Sequence, residues 1–180
     1  MSLLPHLCDI DPKITYNQHG ILVIDNFYQD YEAYKCISVL DSLKGTSGII
    51  YQLKLANLIL AIITPFLPTF HNENFDVLNW NVYKLDSINP NFKWDIKEKG
   101  FYTVEHLEIP KMIQDSGLRS FYSLKLFLNE GGEFVFPTLN LSFKSKEGRI
   151  IIFDQSLKYY NKMSDNELYF LTSDIYYNPV

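Results

Sequence analysis

The strongest constraint on the fold is a run of short strand patterns in residues 121–153, FYSLKLFLNEGGEFVFPTLNLSFKSKEGRIIIF. In the first pattern, Leu124 and Leu126 alternate with Ser123 and Lys125. Successive side chains of a strand point to opposite faces, so the leucines and the polar residues lie on different sides. The alternation predicts a half-buried β-strand.

Three further strand patterns follow in the same run. The Gly131-Gly132 pair provides backbone freedom for a turn before the pattern at residues 133–136. Pro137 lacks an amide proton and is expected to end that strand. Alternation returns in residues 139–143, and residues 149–153 form a β-branched apolar run typical of a strand buried on both faces. Strands at such short spacing predict compact antiparallel β structure.

Helical patterns precede most of the strands. Asp30 is a suitable N-cap for a helix that we expect to run for roughly four turns, as far as residue 44. A second helix is predicted over residues 51–64, where Pro65 stops it. The other strand patterns are residues 21–24, 80–83, 101–109 and 168–177. Helices placed before a run of strands predict an α+β fold, with the helices packed on a β-sandwich or barrel.

Composition limits the classes of function. The 180 residues predict a single domain over residues 1–180. The net charge is −5 and no cluster of basic residues stands out, so nucleic-acid binding is disfavoured. The longest apolar stretch, residues 55–70, contains two prolines and is too short to predict a membrane-spanning helix.

The N-terminal residues and the cysteines bear on the compartment. Residues 1–11 contain neither the basic region nor the long apolar region of a secretory signal. The only two cysteines, Cys8 and Cys36, lack metal-ligand spacing and are consistent with a reducing environment. We therefore expect an intracellular, cytoplasmic protein with no membrane partner.

Three segments together resemble a known family. They are residues 20–27 (GILVIDNF) before the first helix, residues 100–108 (GFYTVEHLE), and residues 124–153 with their Gly-Gly-Glu, Phe-Pro and lysine-rich turns. In this order the chain resembles the prolyl 4-hydroxylase-like branch of the iron(II)/2-oxoglutarate dioxygenases. The likeness covers residues 20–177 and leaves residues 1–19 as an N-terminal extension. It implies a double-stranded β-helix, or jelly roll, with the N-terminal helices packed on the sheet.

The resemblance also implies an iron site, of which this sequence retains a part. The family uses two histidines and one carboxylate as ligands. His106 and Glu108 match the first two ligands, and their spacing on a strand places both on one face. The distal histidine should fall near residues 159–161, where Tyr159 and Tyr160 stand instead, and no histidine follows position 106.

A second departure concerns the cosubstrate. The family holds the distal carboxylate of 2-oxoglutarate with a basic residue on the last strand, and that residue should lie near Leu168. The sequence there, ELYF, offers none. We therefore expect neither iron(II) nor 2-oxoglutarate as a normal cofactor and assign no catalytic residue. His106 and Glu108 are either a residual metal-binding pair or a polar pair on a partly exposed strand.

Three functions remain open on this sequence. The leading hypothesis is a degenerate oxygenase-fold protein that binds a protein or peptide without normal hydroxylase turnover. The second is an active iron-dependent 2-oxoglutarate dioxygenase with an altered metal triad. The third is a structural jelly-roll subunit of a larger assembly. Iron(II) and 2-oxoglutarate would be cofactors only under the second hypothesis.

Overall fold

The computed structural model describes residues 2–6, 10–76 and 79–180, without the side chains of residues 73–81. It contains two α-helices, α1 (Asp30–Asp41) and α2 (Leu53–Ile63). The strands are β1 (Lys13–Gln18), β2 (Ile21–Asp25), β3 (Ser47–Tyr51), β4 (Phe70–Asp76), β5 (Asn79–Ile88), β6 (Asn91–Lys97), β7 (Met112–Ile113), β8 (Leu118–Phe127), β9 (Glu133–Phe136), β10 (Leu141–Lys144), β11 (Ile150–Asp154), β12 (Tyr160–Lys162) and β13 (Leu168–Pro179).

These strands form two antiparallel sheets. The larger sheet has the order β1-β2-β11-β8-β13-β5-β4, with β6 joined to β13 and β3, and β7 joined to β8. The long strand β13 pairs with β6 along its first half and with β5 along its second half. The smaller sheet has the order β10-β9-β12. Two helices and two antiparallel sheets confirm the predicted α+β jelly roll.

Strand β11 shows how the core is layered. Ile150 and Ile152 pack in the cluster that includes both helices, whereas Ile151 and Phe153 pack between the two sheets. All four side chains have 0% exposure, as expected from an unbroken β-branched run. The prediction of a strand buried on both faces is therefore confirmed. The strands paired with β11 must also be covered on both faces.

Gly148 fixes the entry into β11. Its φ is +67°, and a Cβ atom there would lie 2.4 Å from the carbonyl oxygen of Tyr28. The amide of Phe27 donates to the Gly148 carbonyl at 3.0 Å. Glycine is required at this position because the backbone is left-handed and another chain segment passes too close for any side chain.

The helices differ from the predictions in their bounds. The N-cap of α1 is Gln29 and not Asp30, and the Glu32 carboxylate accepts a hydrogen bond from the Gln29 amide at 3.0 Å. This reciprocal cap places the start of the helix, which ends at Asp41 and is shorter than predicted. Helix α2 ends at Ile63, two residues before Pro65, as expected. No helix among the described residues is long and apolar enough to cross a membrane.

Two strand predictions are wrong. Residues 101–109 form no regular strand and are linked to the smaller sheet by irregular bonds, such as that from the Thr103 amide to the Asn161 carbonyl at 3.1 Å. Strand β8 is not half-buried, because Ser123 and Lys125 are only 5% and 8% exposed. The face of β8 that carries Ser123 and Lys125 is directed into the space between the two sheets. Strands β1, β3, β4, β6, β7 and β12 were not predicted, and Pro137–Leu139 form a 3₁₀ turn before β10.

Candidate functional site

A cavity of about 400 Å³ opens on the inner face of the larger sheet. It is bounded by β6, β8, β13, the start of the β12 region and the irregular segment of residues 101–111. This volume lies within the range of small-molecule and side-chain pockets. The polar lining includes Asp95, Thr103, His106, Glu108, Lys125 and Tyr159.

His106 and Glu108 both line this cavity, although the segment that carries them is irregular. The Nδ1 atom of His106 lies 2.8 Å from the carbonyl oxygen of Val104. A carbonyl can only accept, so Nδ1 carries the proton and, in the neutral ring, Nε2 keeps its lone pair. A backbone carbonyl bonded to one ring nitrogen is the usual support for a histidine that binds metal through the other.

Tyr159 occupies the position directly opposite this pair. Residues 106 and 159 form an isolated antiparallel bridge, with amide-to-carbonyl distances of 3.0 Å in both directions. The two rings lie 4.2 Å apart. The Tyr159 hydroxyl donates a short hydrogen bond to Oε1 of Glu108. Tyr160, in contrast, is the first residue of β12 and does not line the cavity.

The chemical state of Tyr159 follows from its surroundings. Its side chain is 1% exposed, and burial raises the pKa of the phenol, as do the hydrogen bond to Glu108 and the charge of that carboxylate. The phenol therefore stays protonated at neutral pH. Around residues 106, 108 and 159 the cavity offers one imidazole nitrogen, one carboxylate already bonded to a phenol, and one neutral phenol oxygen. Within the described parts of the chain, no three His, Cys, Asp or Glu side chains are grouped to hold a metal.

The position expected for a cosubstrate anchor is apolar. Leu168 is 3% exposed and packs in the core between the two sheets. The cavity has a buried cation on another strand, Lys125 of β8. Its ammonium lies 4.6, 4.9 and 5.6 Å from the ring centres of Phe134, Tyr159 and Phe170, respectively.

The other lysines of the cavity are all ion-paired. Lys93 and Lys97 lie 3.2 and 3.0 Å from the buried carboxylate of Asp95. Lys111 pairs with Asp174 on β13. Among the described residues Lys125 makes no ion pair and no hydrogen bond through its ammonium, which lies near three aromatic rings.

Burial of this charge has a measurable cost. Desolvation lowers the pKa of Lys125 from 10.5 to about 8, although the charges of Glu108 and Asp95 act in the opposite direction. That shift corresponds to roughly 3 kcal/mol at 1.36 kcal/mol per unit. Attraction to an aromatic face contributes about 0.5–2 kcal/mol. The rings therefore compensate only part of the cost of burying the ammonium.

Lys125 was not predicted to be a cavity residue. The alternation in residues 121–128 placed it opposite the leucines but did not show that its face was covered. The sequence signal for this burial was the apolar run in residues 149–153, which predicts a neighbouring strand covered on both faces. Lys125 pairs with Ile151 in β11 on one side and with Thr172 in β13 on the other, so β8 lies inside the sheet.

An apolar rim lies beside the cavity on residues 102–113. Polar residues of this segment, such as Thr103 and Glu108, line the cavity, whereas six of its apolar side chains are exposed. Val104 and Ile109 are 77% and 81% exposed. The rim consists of Tyr102, Val104, Leu107, Ile109, Met112 and Ile113. Contiguous exposed apolar side chains mark surfaces used in binding.

Solved structures share this architecture. The viral collagen prolyl hydroxylase of Paramecium bursaria Chlorella virus-1, solved as a 2OG complex, matches with a TM-score of 0.58 and 16% identity, over 88% of this chain and 96% of that chain. A Trichoplax adhaerens prolyl hydroxylase, solved with a hypoxia inducible factor oxygen degradation domain peptide, matches with a TM-score of 0.58 and 14% identity, over 88% and 84%. Iron-bound HygX of Streptomyces hygroscopicus matches with a TM-score of 0.56 and 11% identity, over 88% and 82%.

Sequence comparison adds no closer relationship. No protein-family model matches the chain, and no curated protein matches it. At such low identities, structural likeness establishes the fold and leaves activity to be argued from the site. The chain has the double-stranded β-helix fold of the prolyl 4-hydroxylases and related iron/2-oxoglutarate dioxygenases, as the sequence resemblance implied.

Proposed function

We propose that this chain is a degenerate oxygenase-fold protein that binds a protein or peptide without normal hydroxylase turnover. The observation that carries the proposal is the hydrogen bond from Tyr159 to Glu108. This hydrogen bond engages the carboxylate of Glu108, which with His106 would supply two ligands of a metal site. Tyr159, the donor, stands at the position where the third ligand would be needed.

The donor set does not fit an iron centre of the two-histidine, one-carboxylate kind. A protonated phenol is a weak ligand, and the surroundings of Tyr159 raise its pKa and disfavour ionisation. An incoming cation would compete with the Tyr159 hydroxyl for Oε1 of Glu108, in a part-buried hydrogen bond. The position near Leu168 likewise lacks a base for a cosubstrate carboxylate. We derive no catalytic step through iron or 2-oxoglutarate.

Binding is supported by the surface around the cavity. The apolar rim adjoins a polar cavity, so a bound chain could bury apolar side chains on the rim and direct one polar side chain inward. The Trichoplax protein of the same fold was solved with a peptide fragment. We infer a peptide or an exposed protein segment as the partner of this chain.

Anaerobic calorimetry with iron(II) and with 2-oxoglutarate tests the loss of turnover. We expect no micromolar binding of either by the wild-type protein. Micromolar binding of both, lost in His106→Ala, would overturn the proposal. The matched control is His19→Ala, since His19 is an exposed histidine in the β1–β2 turn and does not line the cavity.

One observation favours a second candidate function, an active iron-dependent dioxygenase with an altered triad. The bond from His106 to Val104 keeps the histidine in a tautomer suited to metal binding through Nε2. This candidate predicts succinate release from 2-oxoglutarate with iron(II) and a peptide substrate. Absence of succinate across peptide and amino-acid panels, under conditions where a known dioxygenase turns over, counts against it.

A further inference from the structure

Lys125 is a buried cation that forms no ion pair with any acidic side chain in the described parts of the structure. Its side chain is 8% exposed, and its ammonium faces the cavity beneath three aromatic rings. Buried charges in proteins are normally paired, because an ammonium without an acceptor loses its hydration and gains little in return. The other cavity lysines are more exposed than Lys125, and each is paired with Asp95 or Asp174.

The cavity lining contains one more positive than negative side chain. Four lysines and three acidic side chains contribute to the lining, which leaves one positive charge in excess. Glu108 is bonded to Tyr159, and the other two carboxylates are paired with lysines. An entering group with a single negative charge would therefore complete the pairing.

Hydroxyl groups that can donate hydrogen bonds line the same cavity as Lys125. The hydroxyl oxygen of Thr103 accepts bonds from the amide and the side chain of Asn161, at 2.8 and 3.3 Å. Its own proton remains available to donate within the cavity. Thr172 lies directly across from Lys125 in the sheet and also lines the cavity. An ammonium beside hydroxyl donors is suited to a carboxylate.

We propose that Lys125 pairs with the carboxylate of an acidic peptide that enters this cavity, a specificity that rests on the proposed peptide-binding function. The carboxylate is that of a Glu or Asp side chain or of a peptide C-terminus. A peptide is the expected carrier, because the apolar rim beside the cavity would contact the residues that flank the acidic group. A free carboxylic acid would leave that rim uncovered.

Synthetic peptide pools on the full chain test this pairing. Three pools are acetylated and amidated, with Glu, Asp or Gln fixed at the centre and the other positions randomised without acidic residues. A fourth has central Gln and a free C-terminal carboxylate, and glutarate serves as the small-molecule probe. Binding is measured with the wild type, Lys125→Met and Lys54→Met, the last being a matched loss of an exposed lysine on α2.

We expect at least one carboxylate pool to bind the wild type roughly 30-fold more tightly than the amidated Gln pool. Lys125→Met should abolish that preference, and Lys54→Met should retain it. Preference for the fourth pool identifies a C-terminus, and preference for the first two identifies a side chain.

Three outcomes would overturn the pairing. Equal binding of the Glu and Gln pools, unchanged in Lys125→Met, rejects Lys125 as the anchor but leaves peptide binding standing. Binding of glutarate with no binding of any pool rejects a peptide as the source of the carboxylate. Binding of neither pools nor glutarate rejects the pairing and counts against the peptide-binding function itself.

Discussion

Replacement of Lys125 by methionine should stabilise the protein while it removes the proposed anchor. Methionine has a similar length, carries no charge, and can occupy the space beneath the rings of Phe134, Tyr159 and Phe170. The shift in the Lys125 pKa from 10.5 to about 8 means that the folded state disfavours the ammonium. At pH 7 the cost of burying the ammonium is about 3 kcal/mol, which Lys125→Met removes. The variant also loses the attraction of the ammonium to the rings, which is about 0.5–2 kcal/mol. We expect a net gain of about 1–3 kcal/mol in the free energy of unfolding.

The pH dependence of this gain has a definite sign. Below pH 8 the ammonium is charged in both the folded and the unfolded chain, and the full penalty applies. Between pH 8 and 10.5 the folded chain has released the proton and the unfolded chain still holds it, so wild-type stability rises through that window. The advantage of Lys125→Met should therefore fall by about 2 kcal/mol between pH 7 and about pH 9.5.

Urea unfolding at both pH values, followed by circular dichroism, measures this difference. Other groups titrate in the same range, but they are common to both proteins and cancel in the comparison. Lys54→Met, an exposed substitution, should change stability by less than about 0.5 kcal/mol at either pH. A Lys125→Met protein that is less stable at pH 7, or whose advantage does not change with pH, would refute the assignment of a costly buried ammonium.

Three further predictions concern other residues of the site and fold. Tyr159→Phe should lower the free energy of unfolding by about 1–2 kcal/mol, because Glu108 loses its hydrogen bond; an unchanged urea midpoint would contradict this. Gly148→Ala should cost more than about 2 kcal/mol, since its Cβ would meet the Tyr28 backbone. Gly100→Ala, with positive φ but nothing within 4 Å, is the control and should cost less. Ile109→Asp should leave thermal stability within about 0.5 kcal/mol yet abolish peptide binding, whereas retained binding would exclude the rim.

The strand run could be predicted from sequence because its pattern and its burial agree. Residues 150–153 are apolar at every position, and β11 is covered on one side by the helices and on the other by the small sheet. The turn before it needs Gly148, whose backbone is left-handed. The distal ligand expected near residues 159–161 falls on Tyr159, which stands opposite His106.

Other features depend on long-range contacts that leave weak local signals. Residues 101–109 are predicted as a strand, yet scattered backbone bonds to residues 159–164 replace a continuous ladder, and distant residues decide that pairing. Lys125 lies on the face of β8 that carries the polar residues of the alternation. That face is buried because β8 pairs with β11 on one side and β13 on the other. The bond between Tyr159 and Glu108 joins residues that are 51 positions apart, which no local pattern can predict.

Restoring the missing ligand tests the central proposal most directly. Tyr159→His would place an imidazole opposite His106 and Glu108 and release the carboxylate from its phenol partner. In anaerobic iron(II) calorimetry we predict no micromolar binding by the wild type and at least about tenfold tighter binding by Tyr159→His. The gain should be lost again in the His106→Ala, Tyr159→His double variant. Wild-type binding as tight as that of Tyr159→His, and dependent on His106, would contradict a site that has lost its metal.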